Sequence, residues 1–259
     1  MRVVINGDDF GLSEGQNLGI LKAHKNGILT STTAMAGGPA LSHGIALAKQ
    51  CPSLSIGVHL TLDAFYPISP KDSVPSLVDE NGKFIKFSME DPLPVKPEEV
   101  YLEWTAQIEK IRSFGIEPSH LDGHHHIHLH EDVIKVTASL AKEYQLPIRL
   151  VPSYVSEKAM VYLKEANIPY LFGLTDFYEE TVSEEYFLKF QENHSHLEEE
   201  ILEVMCHPAY LDDVIFNSSS YQIHRVKELS ILVSDTVRKA MEIQDLQLGS
   251  VRDFFPLMK

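Results

Sequence analysis

A chain of 259 residues is long enough to bury one large hydrophobic core, and an apolar content of 44% excludes a disordered protein. The net charge is −15, from 22 basic and 37 acidic residues without a basic run, so neither nucleic acid nor an anionic membrane is expected as a partner. The chain shows no signal-peptide pattern, no apolar run of membrane-spanning length and no pairing motif around Cys51 and Cys206, so we expect a cytoplasmic protein with reduced thiols.

The N-terminal part of the chain alternates between short apolar runs and helical segments. The run from Arg2 to Asn6 is rich in β-branched residues, which is typical of a buried parallel strand. Ser13 and Gln16 form a capping-box pattern, which predicts a helix that ends near Asn26. A strand, a helix and a further strand are predicted next, at residues 31–36, 40–50 and 55–62.

The alternation stops between Asp63 and Lys96. This segment is rich in proline and contains an Asn81-Gly82 turn signal, so it is predicted to be an inserted loop with a small hairpin, of which residues 83–85 form one strand. Long insertions in compact domains are usually functional loops or lids. Because this one follows a strand, we expect it to lie near the site, on the ligand-binding side of a parallel sheet.

Helices and strands alternate again in the second half of the chain. Residues 97–114 have the proline, the acidic first turn and the following glycine of a well-capped helix. Further helices are predicted at 132–144, 156–166, 183–194, 221–229 and 234–241. Strands are predicted at 148–151, 170–174, 201–206 and 246–251, besides a histidine-rich strand that begins near residue 120.

About seven βα units in one chain predict a single α/β domain over residues 1–259, with mostly parallel strands that close, or nearly close, into a barrel. An open, doubly wound parallel sheet is the alternative that this pattern leaves open. In either fold the carboxyl ends of the strands meet at one face, and ligands bind there.

The stretch from Ser119 to His130 holds six of the 13 histidines of the chain. Neutral imidazole is a common ligand of divalent metals, so the stretch predicts a metal site; a solvated polar loop or histidines bonded to backbone carbonyls are the other interpretations. While the strand lasts, side chains two residues apart share a face. Beyond the strand, His126, His128 and His130 would line a substrate cavity or face solvent.

Five candidate residues follow different predicted strands or lie near their ends, so they meet at one face of a parallel sheet. They are Asp8, Asp9, His59, His124 and His207. One carboxylate and two imidazoles form a metal site that keeps positions open for water and substrate, and we assign Asp9, His59 and His124 to it. Consecutive strand residues point apart, so the other aspartate, Asp8, is the candidate general base.

Four further assignments concern residues within this set or near it. His207 is the candidate general acid, because imidazole titrates near neutral pH; a capping histidine is the alternative. Arg149 either pairs with Asp8 and keeps it ionised or forms a surface salt bridge. We count Arg149 and His126 as candidate substrate-binding residues, and Asp122 as a carboxylate that orients a metal-binding imidazole.

Four motifs resemble those of the YdjC-like carbohydrate deacetylases and occur in the same order over essentially the whole chain. They are Asn6-Gly7-Asp8-Asp9-Phe10-Gly11-Leu12-Ser13, Thr30-Ser31-Thr32-Thr33, Gly57-Val58-His59-Leu60 and His120-Leu121-Asp122-Gly123-His124-His125-His126-Ile127-His128. The resemblance implies a NodB-like deformed (β/α) barrel that hydrolyses the N-acetyl group of short chitin-type oligosaccharides with a divalent metal. It implies the same metal histidines, His59 and His124, with an aspartate of the N-terminal pair, taken as Asp9. Related polysaccharide deacetylases use the first aspartate of a similar pair as the base, which supports Asp8, but their arginine motif is spaced differently from the one around Arg149.

The resemblance implies magnesium as the cation and a homodimer as the assembly. By ligand chemistry, two imidazoles and a carboxylate suit zinc, cobalt, iron or manganese instead. The inserted segment would shape a sugar groove with Phe65, Tyr66 and Phe84. Two alternatives to a deacetylase are a metal-dependent hydrolase of a phosphoester or cyclic amide, and a sugar-binding relative without turnover.

Overall fold

The computed structural model describes residues 1–89, 91–199 and 201–256, so the last three positions of the expected 1–259 domain lie outside the described residues. The strands are β1 Arg2–Phe10, β2 Ser31–Ala34, β3 Ser55–Leu60, β4 Leu121–Gly123, β5 Ile148–Leu150, β6 Tyr170–Leu174, β7 Ile201–Cys206 and β8 Gln247–Leu248. The α-helices are α1 Glu14–Asn26, α2 Leu41–Ala48, α3 Pro97–Ser113, α4 Ile134–Tyr144, α5 Glu157–Glu165, α6 Glu184–Leu188, α7 Phe190–His194, α8 Asp213–Ser218, α9 Ile223–Leu232, α10 Asp235–Ile243 and α11 Val251–Phe254.

The strands form a closed, parallel α/β barrel. Strands β1 to β7 pair in chain order, and β7 returns to pair with β1. The pairing of β1 with β2 begins only at Asn6, and β8 pairs with the start of β1, at Arg2 and Val3. This closure confirms the predicted single-domain barrel and excludes the open, doubly wound sheet.

The two faces of the barrel strands differ in character. Outward residues such as Ile5, Val58 and Leu150 belong to one large apolar core that they share with the surrounding helices. Side chains that hydrogen-bond to one another across the barrel interior are polar or charged instead, and they come from β1, β2, β3, β4, β5 and β7. The interior is therefore a polar layer beneath the site, held in place by an apolar exterior.

The amino-terminal end of the barrel is closed by α11. Val251 packs against Val4, Leu171 and Ile201 in a small apolar cluster. Its backbone N–H also donates to the Ser31 hydroxyl at 3.1 Å. The barrel interior is therefore reached from the opposite end, where the strands finish.

Three predicted elements differ from the structure. The strand expected at 246–251 is shortened to β8, because Ser250 and Asp253 form a capping box that starts α11. The helix expected at 183–194 is divided into α6 and α7 at Lys189, whose backbone is not helical. The expected hairpin of the inserted segment is reduced to one antiparallel bridge, between Val78 and Phe84.

None of the helices in the described ranges combines the length and the apolar composition that crossing a bilayer requires. Cys51 and Cys206 are free and buried.

Gly19 provides a test of the packing between α1 and the segment after β7. A Cβ at this position would lie 2.4 Å from the Pro208 carbonyl oxygen and 2.4 Å from the Ala209 Cα. We expect Gly19→Ala to lower the free energy of unfolding by about 2 kcal/mol, because this overlap outweighs the higher helix propensity of alanine. Urea denaturation measures the change; Lys22→Ala, exposed on the same helix, should stay within about 0.5 kcal/mol of wild type. An unchanged Gly19→Ala variant would contradict the close packing.

Candidate metal centre

A bulge at the end of β1 sets the positions of Asp8 and Asp9. Strand β1 pairs with β2 up to Gly7 and resumes at Phe10 with the register shifted by one residue. Asp9 has a φ of 66°, in the left-handed region that aspartate and asparagine tolerate better than most residues. A bulge redirects side chains, and both carboxylates line the same cavity. The alternation expected of consecutive strand residues therefore does not separate them.

Asp9, His59 and His124 bring three potential ligand atoms together. Asp9 Oδ1 lies 3.4 Å from His59 Nε2 and 3.2 Å from His124 Nδ1. Two ligand atoms that are each about 2.1 Å from one cation are separated by about 3.0–3.4 Å at tetrahedral or octahedral angles. Asp9 Oδ1 is also buried without a well-formed hydrogen bond from any described residue. This spacing and the unpartnered oxygen fit a single divalent cation.

Asp122 orients the imidazole of His59. Its Oδ1 lies 2.8 Å from His59 Nδ1, and Thr33 donates to its Oδ2 at 2.9 Å. With a proton on Nδ1, neutral His59 presents the Nε2 lone pair towards Asp9, as a metal ligand requires. Burial disfavours the charged imidazole, but Asp122 and Asp9 raise the pKa of His59 well above its ordinary value. Cation binding must therefore displace a proton from this ring.

The histidine stretch does not continue as a strand. It leaves β4 at Gly123 and forms a short 3₁₀ turn, in which His125 and His126 have φ values of 50° and 58°. This turn directs His124 towards Asp9 and leaves His126 in the cavity wall, where its ring packs against Tyr154 at an interplanar angle of 44° with centroids 4.4 Å apart. The two-residue alternation therefore ends at Gly123 and does not extend to His124, His126 and His128.

Three other histidines of the stretch, His120, His128 and His130, are buried and serve the fold. His128 contacts the Arg149 carbonyl through Nε2 at 2.9 Å, and His130 contacts the Asp91 carbonyl at 3.1 Å. Burial lowers the pKa of His120 and of His128 to about 4, so both rings are neutral. The expectation that His128 and His130 line a cavity or face solvent is wrong, because both are buried.

Arg149 lies behind the site. Its Nη1 and Nη2 donate to the two oxygens of Asp8 at 2.6 and 2.7 Å, and its Nη2 also lies 2.9 Å from Asp122 Oδ2. The side chain is 0% exposed and is not among the residues that line the cavity. The expected direct contact of Arg149 with substrate is therefore corrected to the other interpretation, a buried ion pair with Asp8 that holds this carboxylate in place.

Glu203 completes the surroundings of Arg149. Its Oε1 accepts from Arg149 Nη2 at 2.9 Å and lies 3.9 Å from His120 Nε2. Burial raises the pKa of Glu203 to about 7, although Arg149 acts in the opposite direction. Glu203 is therefore partly protonated at neutral pH, which relieves the crowding of carboxylates around one guanidinium.

Arg225 binds the second oxygen of Asp9. Its Nη2 donates to Asp9 Oδ2 at 2.9 Å, and its Nη1 donates to Gln16 Oε1 at 2.8 Å. Burial opposes the charge of Asp9, but Arg225, then His124 and His59, hold the pKa of this carboxyl well below its ordinary range. Asp9 is therefore an anion at any pH at which the imidazoles can bind metal.

His207 follows β7 and lines the same cavity. Its backbone N–H donates to Glu228 Oε2, and its Nδ1 lies 3.9 Å from Glu228 Oε1. The ring also meets Tyr178 and Tyr221 edge-on, with centroids 6.0 and 5.5 Å away. His207 is thus held by α9 and by aromatic neighbours at the cavity wall.

The cavity has a volume of about 1020 Å³ and contains the ligand cluster in its wall. The inserted segment contributes the aromatic residues that the sequence suggested, Phe65, Tyr66 and Phe84. Tyr154 and Tyr178 come from other loops. Aromatic rings therefore lie beside many polar and ionisable side chains, a lining that suits a polar small molecule.

A sequence model of a family described as "YdjC-like protein" matches residues 2–242. The chain belongs to the YdjC-like family. Among its relatives, a carbohydrate deacetylase of Clostridium beijerinckii is 40% identical over 256 residues, 98% of this chain and 100% of the relative. A carbohydrate deacetylase of Geobacillus stearothermophilus is 37% identical over 254 residues, 98% of each chain.

Solved structures resemble this YdjC-like chain over its whole length. One is a protein of Enterococcus faecalis described as a candidate cellobiose-phosphate cleavage protein; it has a TM-score of 0.89, 36% identity and 98% coverage of both chains. A lactam utilization protein of Thermus thermophilus has a TM-score of 0.57 at 14% identity, covering 96% of this chain and 100% of its own. The second likeness concerns the fold alone.

Sequence reasoning missed several residues of this YdjC-like site, among them Glu203 and Arg225. Glu203 left a signal, because it is the one charged residue of the apolar strand β7 and a buried charge needs a partner. Arg225 left none, since a basic residue on an amphipathic helix is ordinary. The roles of Asp9, His59 and His124 as metal ligands, of Asp8 as base and of His207 as acid remain predictions. All five residues line one cavity.

Replacing Arg149 tests the buried ion-pair network of this YdjC-like protein. Arg149→Met leaves Asp8, Asp122 and Glu203 buried without their cation, so we expect a loss of about 3–5 kcal/mol in the free energy of unfolding at pH 8. Urea denaturation measures it. Arg112→Met, which removes an exposed arginine paired with Glu109, is the control and should cost less than about 1 kcal/mol.

The loss should depend on pH in a defined direction. Burial opposes the charge of Asp122, but His59 and Arg149 hold its pKa below the ordinary value. Stability from a lowered carboxyl pKa is present above the unfolded-state pKa, about 3.9, and is lost as the pH falls through the folded-state pKa. Without Arg149 the carboxyls take up protons more readily, so the deficit should shrink from pH 8 to pH 5. A deficit that grows on acidification would contradict the network.

Proposed function

We propose that this YdjC-like protein is a metal-dependent carbohydrate deacetylase. It hydrolyses the N-acetyl group of short amino-sugar oligosaccharides, of the chitobiose or chitotriose type, to a free amine and acetate. The observation that carries the proposal is the convergence of Asp9, His59 and His124 on one point in a cavity wall. The names of the relatives in Clostridium beijerinckii and Geobacillus stearothermophilus support carbohydrate deacetylation as the reaction.

Asp9, His59 and His124 would hold one divalent cation. When bound, it supplies Lewis-acid polarisation of the acetyl carbonyl and of the attacking water. The family resemblance favours magnesium, whereas the two imidazoles suit zinc, cobalt or manganese. Adding one metal at a time to metal-stripped protein therefore identifies the cation.

Asp8 would accept the proton of the attacking water. A carboxylate offers about four lone-pair directions. Asn6 and Arg149 Nη2 occupy Oδ1, while Arg149 Nη1 donates to Oδ2, which keeps one direction for a proton from the cavity. Arg149 keeps the carboxylate in one orientation, so the base does not rotate away from the water.

His207 would protonate the departing sugar nitrogen as the bond between the carbonyl carbon and nitrogen breaks. Attack by water forms the new carbon–oxygen bond, and the products are acetate and the free amine. Glu228 holds the backbone of His207 by accepting from its N–H, and its Oε1 lies 3.9 Å from the ring Nδ1. An amine is a poor leaving group without a proton, so a general acid is required for an amide.

The walls of the cavity support a sugar as the substrate. Tyr154, Tyr178 and Tyr66 line it, and aromatic rings bind the apolar C–H faces of pyranose rings while their edges leave hydroxyl groups free to hydrogen-bond. His126 packs against Tyr154 and is a proposed substrate contact. Its pKa is lowered well below the ordinary value, by burial and then by Arg149, so it meets the sugar as a neutral ring.

Phosphoester hydrolysis is the second candidate. Lys83 and Lys86 line the cavity, and the Enterococcus faecalis structure is described by a sugar-phosphate reaction. Lysine is a common partner of phosphate groups. Release of acetate supports the deacetylase, whereas release of inorganic phosphate from a disaccharide phosphate supports this candidate.

Metal dependence is tested by acetate release from di-N-acetylchitobiose. We expect no release from metal-stripped protein and restored release with one of magnesium, zinc, cobalt or manganese. His124→Ala should lose both stoichiometric metal binding and acetate release, because it removes one of three ligands. His196→Ala, which removes an exposed histidine, should retain both. Full release from metal-free protein would overturn the cation site, and metal binding without acetate release would overturn the chitobiose-type substrate.

The role of His207 is tested by varying the leaving group. We expect His207→Asn to lower kcat for the acetylated sugar about 10²–10⁴-fold, because the amine departs without a proton. Its Kd for the metal should stay at the wild-type value. With an acetate ester of 4-nitrophenol, whose leaving group needs no proton, the loss should be much smaller. Equal losses for both substrates would exclude the general-acid role.

A further inference from the structure

Arg225, on helix α9, contacts the metal cluster but has no part in the proposed reaction. Arg225 lies three positions before Glu228, so the two side chains share the face of α9 that points to the site. Glu228 supports His207, and Arg225 reaches Asp9. Arg225 is 5% exposed, so this contact is made largely out of solvent.

Arg225 is itself held at several points. Its Nε donates to the Tyr221 carbonyl at 2.8 Å and its Nη1 donates to Gln16 Oε1 at 2.8 Å. Gln16 in turn donates to the backbone carbonyl of Asp8 at 2.9 Å, within the β1 bulge. The guanidinium is therefore fixed relative to the bulge that carries Asp9, and it cannot swing away without breaking these bonds.

The two oxygens of Asp9 have separate partners. Oδ2 accepts from Arg225 at 2.9 Å, while Oδ1 faces His59 and His124 at 3.4 and 3.2 Å. Oδ1 has no well-formed hydrogen bond from the described residues, whereas Arg225 takes one of the two lone-pair directions of Oδ2 and its positive charge beside that oxygen repels a cation. A cation in the cluster therefore binds Oδ1. We propose that Arg225 is a positioning residue that makes Asp9 a one-oxygen ligand and thereby sets which cations the site accepts.

The consequence is discrimination against calcium. Calcium takes six to eight oxygen ligands and often binds a carboxylate through both oxygens, whereas manganese, zinc and cobalt accept imidazole and a single carboxylate oxygen. With Oδ2 occupied by Arg225, a calcium ion loses one of the few oxygens in the cluster. The smaller transition-metal ions lose nothing, because they need only Oδ1.

The inference rests on the cation site of the proposed function, so its test includes the site itself. The full-length, metal-stripped protein is titrated with Mn²⁺ and with Ca²⁺ by calorimetry, by competition where binding is weak. The variants are Arg225→Gln, Arg225→Lys, His124→Ala and the control Arg238→Gln, an exposed arginine on α10. Thermal unfolding of each variant fixes a temperature at which all of them are folded.

The deciding quantity is the ratio of the Mn²⁺ and Ca²⁺ affinities. Removal of the nearby positive charge strengthens the binding of both divalent ions to the same degree, so this effect cancels in the ratio. We expect the preference for Mn²⁺ over Ca²⁺ to fall about tenfold in Arg225→Gln, since Oδ2 becomes free to bind calcium. Arg225→Lys, which keeps one donor for Oδ2, should fall less, and Arg238→Gln should match wild type. The visible spectrum of bound Co²⁺ should also change in Arg225→Gln, because its coordination changes.

Two results overturn the inference, and they differ in what else they overturn. If His124→Ala abolishes binding while Arg225→Gln and Arg225→Lys keep the wild-type ratio and Co²⁺ spectrum, Arg225 only supports the fold and the cation site stands. If wild type and His124→Ala bind neither ion, the cation site of the proposed function fails and the role of Arg225 fails with it. Should Arg225→Gln not fold, Arg225→Met, which keeps the aliphatic stem but has no donor for Oδ2, replaces it, and an unchanged ratio in that variant overturns the inference.

Discussion

One buried guanidinium organises the interior of this barrel. Arg149 has no exposed surface, and it lies among carboxylates from three other strands, Asp8, Asp122 and Glu203. A charge in the interior is stable only when it is paired and its hydrogen bonds are satisfied, so these acids are required at inward positions of β1, β4 and β7. Asp122 then fixes His59, which faces Asp9. The ligand cluster is the outer end of a network that begins at Arg149.

The balance of charge in this network favours a cation. Four carboxylates, those of Asp8, Asp9, Asp122 and Glu203, meet two guanidinium groups, those of Arg149 and Arg225. Burial raises the pKa of Glu203 to about 7, which removes part of one negative charge, but the remaining excess is negative. A divalent ion placed beside Asp9 would balance it and would replace the proton that His59 otherwise holds.

Chemistry and recognition are carried by different parts of the chain. The proposed base and metal ligands lie on barrel strands or directly after them, where the apolar core fixes the backbone. Much of the rest of the cavity wall comes from the segment after β3 and from the turn between α8 and α9. Loops can change length and composition without disturbing the barrel, so substrates can differ within one fold while the metal cluster stays the same.

The alternation of strands and helices follows from the amino-acid sequence, and so does the convergence of Asp8, Asp9, His59, His124 and His207, because the carboxyl ends of parallel strands share one face. The surroundings of these residues follow from the three-dimensional fold instead. Arg225 reaches Asp9 across 216 positions of the chain, and Arg149 turns into the barrel instead of towards the substrate. The bulge at Asp9 and the 3₁₀ turn at His124 also override the two-residue alternation on which sequence reasoning relies. Periodicity predicts which face of a strand a residue occupies, whereas partners across a closed barrel are set by register and closure, which no local pattern encodes.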